Sequence, residues 1–373
     1  MKKKFLFLYL KTGGGHLSTA RSIEECILSS KEDVEIILAD GLNNGNKFMK
    51  SIIEEGYRLS QSIALWVYEI LYGIHKIKTV SKLTSNFVAS FVRDEIFRLI
   101  KLHNPEKIVI FHFFLVDPVL KVLKELNLNI PVLTVVTDPY TAHPMWFLHN
   151  DQNYVVFSRK VLENSAKKMG VPEENINIFP YILNEKFRVS DINKLDKIRS
   201  KYGFDNGKKL ILIIGGGDGI PKGEKIVKNL VNFLPDIQYA VVCGRDKKLF
   251  NKIKTLSKEN NLIKVFEYID FVSELMSVSD LVISKCGPAT FMEILLSKKI
   301  PIISSYIWEQ EKGNVDFIVE NKFGIYEKKV KKLPHIVNEL LSNEDLYNSF
   351  LNNINKADLQ NGVESVSEFI YNY

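Results

Sequence analysis

Phe5-Leu-Phe-Leu-Tyr-Leu10 runs into Lys11-Thr12-Gly13-Gly14-Gly15-His16, and Leu17, Ala20, Ile23 and Ile27 follow at helical spacing. An apolar run that does not alternate reads as a strand covered on both faces. The glycines allow positive φ and a close approach of backbone to a ligand. The helix that follows offers free N–H groups and partial positive charge at its start. Strand, glycine turn and helix together open an α/β domain with a parallel sheet. Ligands of such sheets bind beyond the carboxyl ends of the strands. Gly14, Gly15 and His16 stand at that point.

The same alternation repeats along the chain. Expected strands are Phe5–Leu10, Glu35–Ala39, Lys107–Phe114, Val132–Thr137 and Tyr154–Phe157. A second series comprises Lys209–Ile214, Gln238–Cys243, Lys264–Tyr268, Leu281–Ser284 and Ile300–Ser304. A polar stretch, Asn184–Lys208, separates the two and reads as a linker without a strand. At 373 residues the chain has room for two domains. The sequence therefore divides into an N-terminal domain at 1–185, a C-terminal domain at 186–345 and a final helix at 346–373 packing on either.

Two further glycine turns follow strands of the second series. Gly215-Gly-Gly-Asp-Gly219 is one, with Gly216 and Gly217 at its centre. Cys286-Gly287-Pro288-Ala289-Thr290 is the other, with Glu293 about one turn into the next helix. Such turns aim backbone amides at phosphates, and a carboxylate in that helix can accept hydrogen bonds from ribose hydroxyls.

Composition narrows the alternatives. The chain is 46% hydrophobic and 25% charged, with a net charge of +6. That balance fits a folded protein acting on an anionic surface or a phosphorylated ligand. The basic residues form no dense, aromatic-interleaved patch, so nucleic acid is not an expected partner. Cys26, Cys243 and Cys286 are widely spaced, which fits a reducing compartment better than a disulfide framework. No apolar run reaches the length of a membrane span. The segment from Asn43 to His103 breaks the strand–helix pattern. It holds nine Lys/Arg against five Asp/Glu, beside Trp66, Tyr68 and Tyr72. This is the composition of a helix lying at a membrane interface, or of an insertion packed in the core.

Taken in order, these pieces resemble the bacterial diacylglycerol glucosyltransferases and plant monogalactosyldiacylglycerol synthases. They are more distantly similar to the N-acetylglucosaminyltransferase that makes lipid II. The matching pieces are Thr12–His16, Thr137-Asp138, His143-Pro144 with Trp146-Phe147, Gly215–Gly219, Ser284–Thr290 with Glu293, and Gln310-Glu-Lys-Gly-Asn314. The resemblance implies a GT-B fold: two Rossmann-like domains whose parallel sheets face a central cleft. It implies an inverting, metal-independent hexosyltransferase using UDP-glucose or UDP-galactose and no cofactor.

Carried over residue by residue, Asp138 and His16 form the catalytic pair, with Asp138 first choice as base. Phe271 and Val272 lie in the stretch that holds uracil. Gly287, Pro288, Ala289 and Thr290 hold the diphosphate, Glu293 the ribose, and Gln310, Glu311 and Asn314 belong to the sugar-side motif. The expected acceptor is diacylglycerol in an anionic membrane. The enzyme is then peripheral, at the cytoplasmic face. A polyprenyl-linked or soluble acceptor is the alternative, and a sugar-nucleotide-binding regulator without transfer is a third reading. Ala289, Lys312 and Asp138-Pro139-Tyr140 depart from the family's usual residues.

Overall fold

The computed structural model describes residues 2–11, 14–43, 65–187 and 192–373. Thr12 and Gly13, and most of the first half of the 43–103 segment, lie outside the described residues. The chain forms two compact units. The first comprises Met1–Asn184, Trp308–Gln310 and Asn361–Tyr373, and the second Glu185–Ile307 and Glu311–Gln360.

In the first unit six parallel strands lie in the order β2-β1-β3-β4-β5-β6. They are β1 (Lys3–Tyr9), β2 (Val34–Asp40), β3 (Lys107–Ile110), β4 (Val132–Val135), β5 (Asn153–Val156) and β6 (Ile176–Ile178). Phe5, Leu6, Phe7 and Leu8 are each fully buried, as a strand covered on both faces requires. Helix Gly15–Ser30 follows β1 and buries Ala20, Ile23 and Ile27, while Leu17 is half-buried. The order reverses between β1 and β3, which is the switch point where a crevice opens at the carboxyl ends of the strands.

The second unit has the order β12-β11-β10-β7-β8-β9, again all parallel. Its strands are β7 (Leu210–Ile214), β8 (Gln238–Val242), β9 (Ile263–Phe266), β10 (Leu281–Lys285), β11 (Ile300–Ser305) and β12 (Ile325–Tyr326). Numbered from its own first strand this is 3-2-1-4-5-6, the Rossmann order. Its switch point lies between β7 and β10, the two strands that end in glycine turns.

The structure departs from the sequence expectations in several places. The strand expected over Lys107–Phe114 stops at Ile110, because His112 caps a single 3-10 turn at Phe113–Leu115. The strand expected over Val132–Thr137 stops at Val135. β6 and β12 are short edge strands that the sequence reading omits. The expected linker Asn184–Lys208 contains helix Ile192–Lys201. Arg199 ties that helix to the second unit through the carbonyls of Asp205, Lys208 and Val278.

The stretch 346–373, expected as one helix, is two. Helix Glu344–Lys356 stays with the second unit, and helix Val363–Asn372 belongs to the first. There Lys107 Nζ donates to the carbonyls of Ile370 (2.6 Å) and Tyr371 (2.9 Å). Tyr373 Oη–H donates to the carbonyl of Val132 (3.1 Å), and Asn361 exchanges two hydrogen bonds with Leu183.

Candidate active site

In the first unit four polar side chains gather beyond the ends of β1, β3 and β4. His16 comes from the second residue of the helix after β1, His112 from the turn after β3, and Thr137 and Asp138 from the loop after β4. The rings of His16 and His112 are 4.8 Å apart at the switch point. His16 Nδ1 lies 2.9 Å from Thr137 Oγ1. Trp146 Nε1–H donates to Asp138 Oδ2 at 2.8 Å. Asp138 is 7% exposed and Trp146 is buried, so the indole fixes the carboxylate rather than lying open to an acceptor.

Burial decides the charge of the histidines. Desolvation lowers His16 to about 4, with the Phe111 backbone pulling weakly the other way. His112 is pushed well below the ordinary value by burial and then by the charge of His16. Both are neutral at pH 7. The Phe114 N–H donates to His112 Nδ1 (3.2 Å), so its proton sits on Nε2. His143 is also buried, lowered to about 4 chiefly by desolvation. Its Nδ1 accepts from the Met145 N–H (3.1 Å) and its Nε2–H donates to the Tyr72 carbonyl (3.2 Å). His143 thereby ties the loop to helix Leu65–Ile74, and its ring has no nitrogen left for chemistry.

Gly14 caps the helix that carries His16, and a Cβ on Gly14 or Gly15 would meet no heavy atom within 4 Å. That absence of neighbours holds among the described residues.

The second unit brings its two glycine turns together. Gly216 and Gly219 have φ of 77° and 79°, which glycine alone adopts freely. A Cβ on Gly216 would lie 3.7 Å from Thr290 Oγ1, so the turns after β7 and β10 adjoin at the switch point. Gly287 caps helix Pro288–Leu296, with Pro288 in its first turn, where its missing N–H costs nothing. Gly217 packs against the Arg245 guanidinium, and Arg245 pairs with Asp218 at 3.1 Å.

Glu293 lies a little over one turn into that helix, half-buried. Desolvation raises its carboxyl to about 7. Its side chain has no hydrogen bond or ion pair among the described residues. A carboxylate in that state is stabilised by any hydrogen-bond donor it gains.

The ring of Phe271 stacks on Tyr202 at 4.6 Å, and the Phe271 carbonyl accepts from the Glu274 N–H (3.1 Å) at the start of helix Val272–Val278. Asn314 is buried and its Nδ2 donates to the Cys286 carbonyl (3.1 Å), bracing the turn. Glu311 is 3% exposed and its carboxylate is engaged within the protein, by the Ile307 N–H (2.7 Å) and Lys285 Nζ (3.3 Å). Gln310 is half-buried in the first turn of helix Trp308–Glu320 and groups with the first unit.

His112 and Arg245 are the polar residues of these clusters that the sequence reading passes over. The signal for His112 was a lone histidine at the end of an apolar strand. Arg245 follows Gly244, whose φ of 60° marks a third tight turn.

The family model for monogalactosyldiacylglycerol (MGDG) synthase matches residues 16–180. That for the glycosyltransferase family 28 C-terminal domain matches residues 210–368. Among curated proteins, monogalactosyldiacylglycerol synthase 2 of Arabidopsis thaliana is 27% identical, over 91% of this chain and 74% of its own length. The probable monogalactosyldiacylglycerol synthase of Glycine max is 29% identical over 90% of this chain, which spans only 65% of that protein. The processive diacylglycerol beta-glucosyltransferase of Bacillus pumilus is 26% identical over 99% of this chain and 94% of its own length.

Solved structures share the fold at low identity. Acinetobacter baumannii MurG aligns over 100% of both chains with a TM-score of 0.61 at 13% identity. The UDP-GlcNAc 2-epimerase of Neisseria meningitidis aligns over 100% of this chain and 99% of its own, with a TM-score of 0.62 at 13% identity. An epimerase among these neighbours shows that the fold alone does not decide the reaction. The two family models do more, because they match in order and span both units. The chain belongs to the monogalactosyldiacylglycerol synthase family of GT-B glycosyltransferases, with a family 28 C-terminal domain.

Proposed function

We propose that this enzyme moves glucose or galactose from a UDP-sugar to the free hydroxyl of diacylglycerol, inverting the anomeric centre and using no metal. The observation that carries this reading is the cluster of His16, Thr137 and Asp138 beyond β1 and β4, inside the span matched by the MGDG synthase model. The relatives named above are diacylglycerol glycosyltransferases or MGDG synthases, which points to the same acceptor.

The chemistry follows from the side chains. The acceptor hydroxyl must lose its proton as its oxygen attacks the anomeric carbon. Asp138, its Oδ2 fixed by Trp146, is the proton acceptor. His16, held neutral by desolvation and 2.9 Å from Thr137 Oγ1, is placed to orient the reacting groups. The helix start at Gly287 offers N–H groups to phosphate oxygens. Purified protein, radiolabelled UDP-glucose or UDP-galactose, and diacylglycerol vesicles with EDTA should yield labelled lipid. Label that enters lipid only with a polyprenyl acceptor, or transfer that stops in EDTA, would overturn the respective part.

Glu293 gives this reading a pH signature. Ribose hydroxyls donate to the ionised carboxylate, so binding favours the deprotonated form and draws its pKa down from about 7. UDP-glucose, whose phosphates do not titrate near neutrality, should bind about tenfold more tightly at pH 8 than at pH 6. Calorimetry on Glu293→Gln should show that dependence flattened. An unchanged pH slope in the variant would remove Glu293 from the ribose site.

Docking to an anionic membrane completes the proposal, at the cytoplasmic face that three free cysteines suit. Among the described residues no helix is long and apolar enough to cross a membrane. Ile74, Ile77, Leu83 and Phe87 are exposed, Phe87 by 59%, and exposed Lys78 and Lys82 lie among them. Arg93 and Arg98 are already paired, with Glu125 and Glu95. Lys78→Glu with Lys82→Glu should cut flotation with anionic vesicles about tenfold or more, at about 1 kcal/mol lost per cation and a repulsive charge added. Flotation equal to wild type would place the membrane contact elsewhere.

A further inference from the structure

Two neutral histidines meet at the switch point of the first unit, and they differ in what their protons hold. His16 hydrogen-bonds the Phe111 backbone and lies 2.9 Å from Thr137 Oγ1. His112 uses Nδ1 alone, as acceptor of the Phe114 N–H at 3.2 Å, which caps the turn after β3. That bond leaves its proton on Nε2. Among the described residues this N–H meets no acceptor. It is not one of their sealed polar atoms without a partner, as Thr134 Oγ1 is, so its edge opens on the crevice.

The surroundings say what kind of oxygen would answer it. Phe113 and Phe114, both half-buried, lie 4.5 and 5.4 Å from the His112 ring, centroid to centroid. The His16 ring is 4.8 Å away and the Trp146 ring 6.3 Å. That indole also holds the Asp138 carboxylate, at 2.8 Å. Burial and His16 are the influences on the titration of His112, and both keep it uncharged. A fixed, uncharged N–H among aromatic rings suits an uncharged oxygen; a phosphate is better served by a cation. Leaving a buried donor without an acceptor is costly, and a ligand that brings the oxygen removes the cost.

We infer that His112 is a specificity-determining residue of the acceptor site, its Nε2–H donating to the ester carbonyl on the glycerol carbon next to the reacting hydroxyl. This rests on the reading that the acceptor is diacylglycerol and that Asp138 takes its proton. The hydroxyl at Asp138 and the carbonyl at His112 then hold the glycerol at two points, which fixes the oxygen that faces the anomeric carbon. His112 itself moves no proton. An ether-linked glycerolipid has the same hydroxyl and the same chains but no carbonyl, so it is the lipid this site should disfavour.

The test sets 1,2-diacylglycerol against the 1,2-dialkylglycerol of equal chain length, in mixed detergent micelles with the full chain and saturating UDP-hexose. Wild type should show a kcat/KM about tenfold higher on the diacyl lipid, the worth of one such hydrogen bond. His112→Asn keeps an oxygen to accept from the Phe114 N–H but does not reach the place of Nε2. Its kcat/KM should fall about tenfold on the diacyl lipid and stay within about twofold on the dialkyl lipid. His112→Gln, whose amide N–H extends towards that place, should restore part of the preference. The wild-type preference should be equal at pH 6 and pH 8, since the ring does not charge between them. A wild type that favoured neither lipid, or an equal loss on both lipids in His112→Asn, would overturn the assignment. Were that equal loss joined by a raised KM for the UDP-hexose, the N–H would belong to a sugar hydroxyl instead. Wild-type protein that glycosylated neither lipid would remove the diacylglycerol reading itself, and this inference with it.

Discussion

Asp138→Asn should lower kcat on a UDP-hexose and diacylglycerol by about 10²–10⁴-fold, the usual worth of a positioned base. The substitution keeps the shape of the side chain. Its amide oxygen can still accept from the Trp146 indole, which now approaches Oδ2 at 2.8 Å. The buried loop thus keeps its hydrogen bond, and donor affinity, measured by calorimetry with UDP, should stay within about twofold. A fall in kcat without a fall in binding separates a lost base from a damaged fold. His16→Ala should cost less, about 10–10²-fold, as the loss of a side chain that orients the reacting groups beside Thr137. Turnover near wild type in both variants, with the protein folded, would dissolve the pair.

The second large effect is on stability. Gly215 ends β7 where the chain doubles back. A Cβ there would lie 2.1 Å from the Gly219 carbonyl oxygen, 2.3 Å from its carbon and 2.4 Å from Ile220 Cα. All three are backbone atoms, so no side chain can rotate away to make room. Gly215→Ala must displace the turn that closes the switch point, at about 4 kcal/mol or more. Urea unfolding should show the loss, and UDP binding should go with it. Gly14→Ala is the control, since its added methyl meets nothing within 4 Å and its φ of −93° suits alanine. It should change stability by no more than about 0.5 kcal/mol. Equal stability in the two variants would contradict the packing of the Gly215 turn.

The strands were legible because burial on both faces writes an unbroken apolar run, as in Phe5–Leu8 and Leu210–Ile214, each buried throughout. β6 and β12 were not, since three and two residues at a sheet edge are too few to make a run. The end of β3 was overrun because Phe111, Phe113 and Phe114 continue the apolar pattern after the backbone has turned at the His112 cap.

The glycine turns, His16 and Glu293 stand out from residue type and place, and the resemblance adds Asp138 as a candidate. What could not be read was what each side chain already holds. Glu311 looks from sequence like a sugar contact, yet its carboxylate is engaged by Lys285 and Ile307, partners 26 and 4 residues away. His143 is named from sequence only as part of the matching motif, and the structure shows both its nitrogens committed. The charge of a histidine depends on desolvation, which the linear order of residues does not record.

The return of helix Val363–Asn372 to the first unit makes the second unit an insertion, Trp308–Gln310 apart. The unit that starts first on the ribosome is therefore finished last. Between Asn184 and Asn361 come 176 residues, about 10–35 seconds of synthesis at roughly 5–20 residues per second. Through that interval Lys107 has no helix carbonyls to meet and the flank of β1 and β3 waits uncovered, while most of the inserted unit can already be folding. A fragment ending at residue 184 would hold the proposed base and histidine and all six strands of their sheet, yet lack the helix that packs against it.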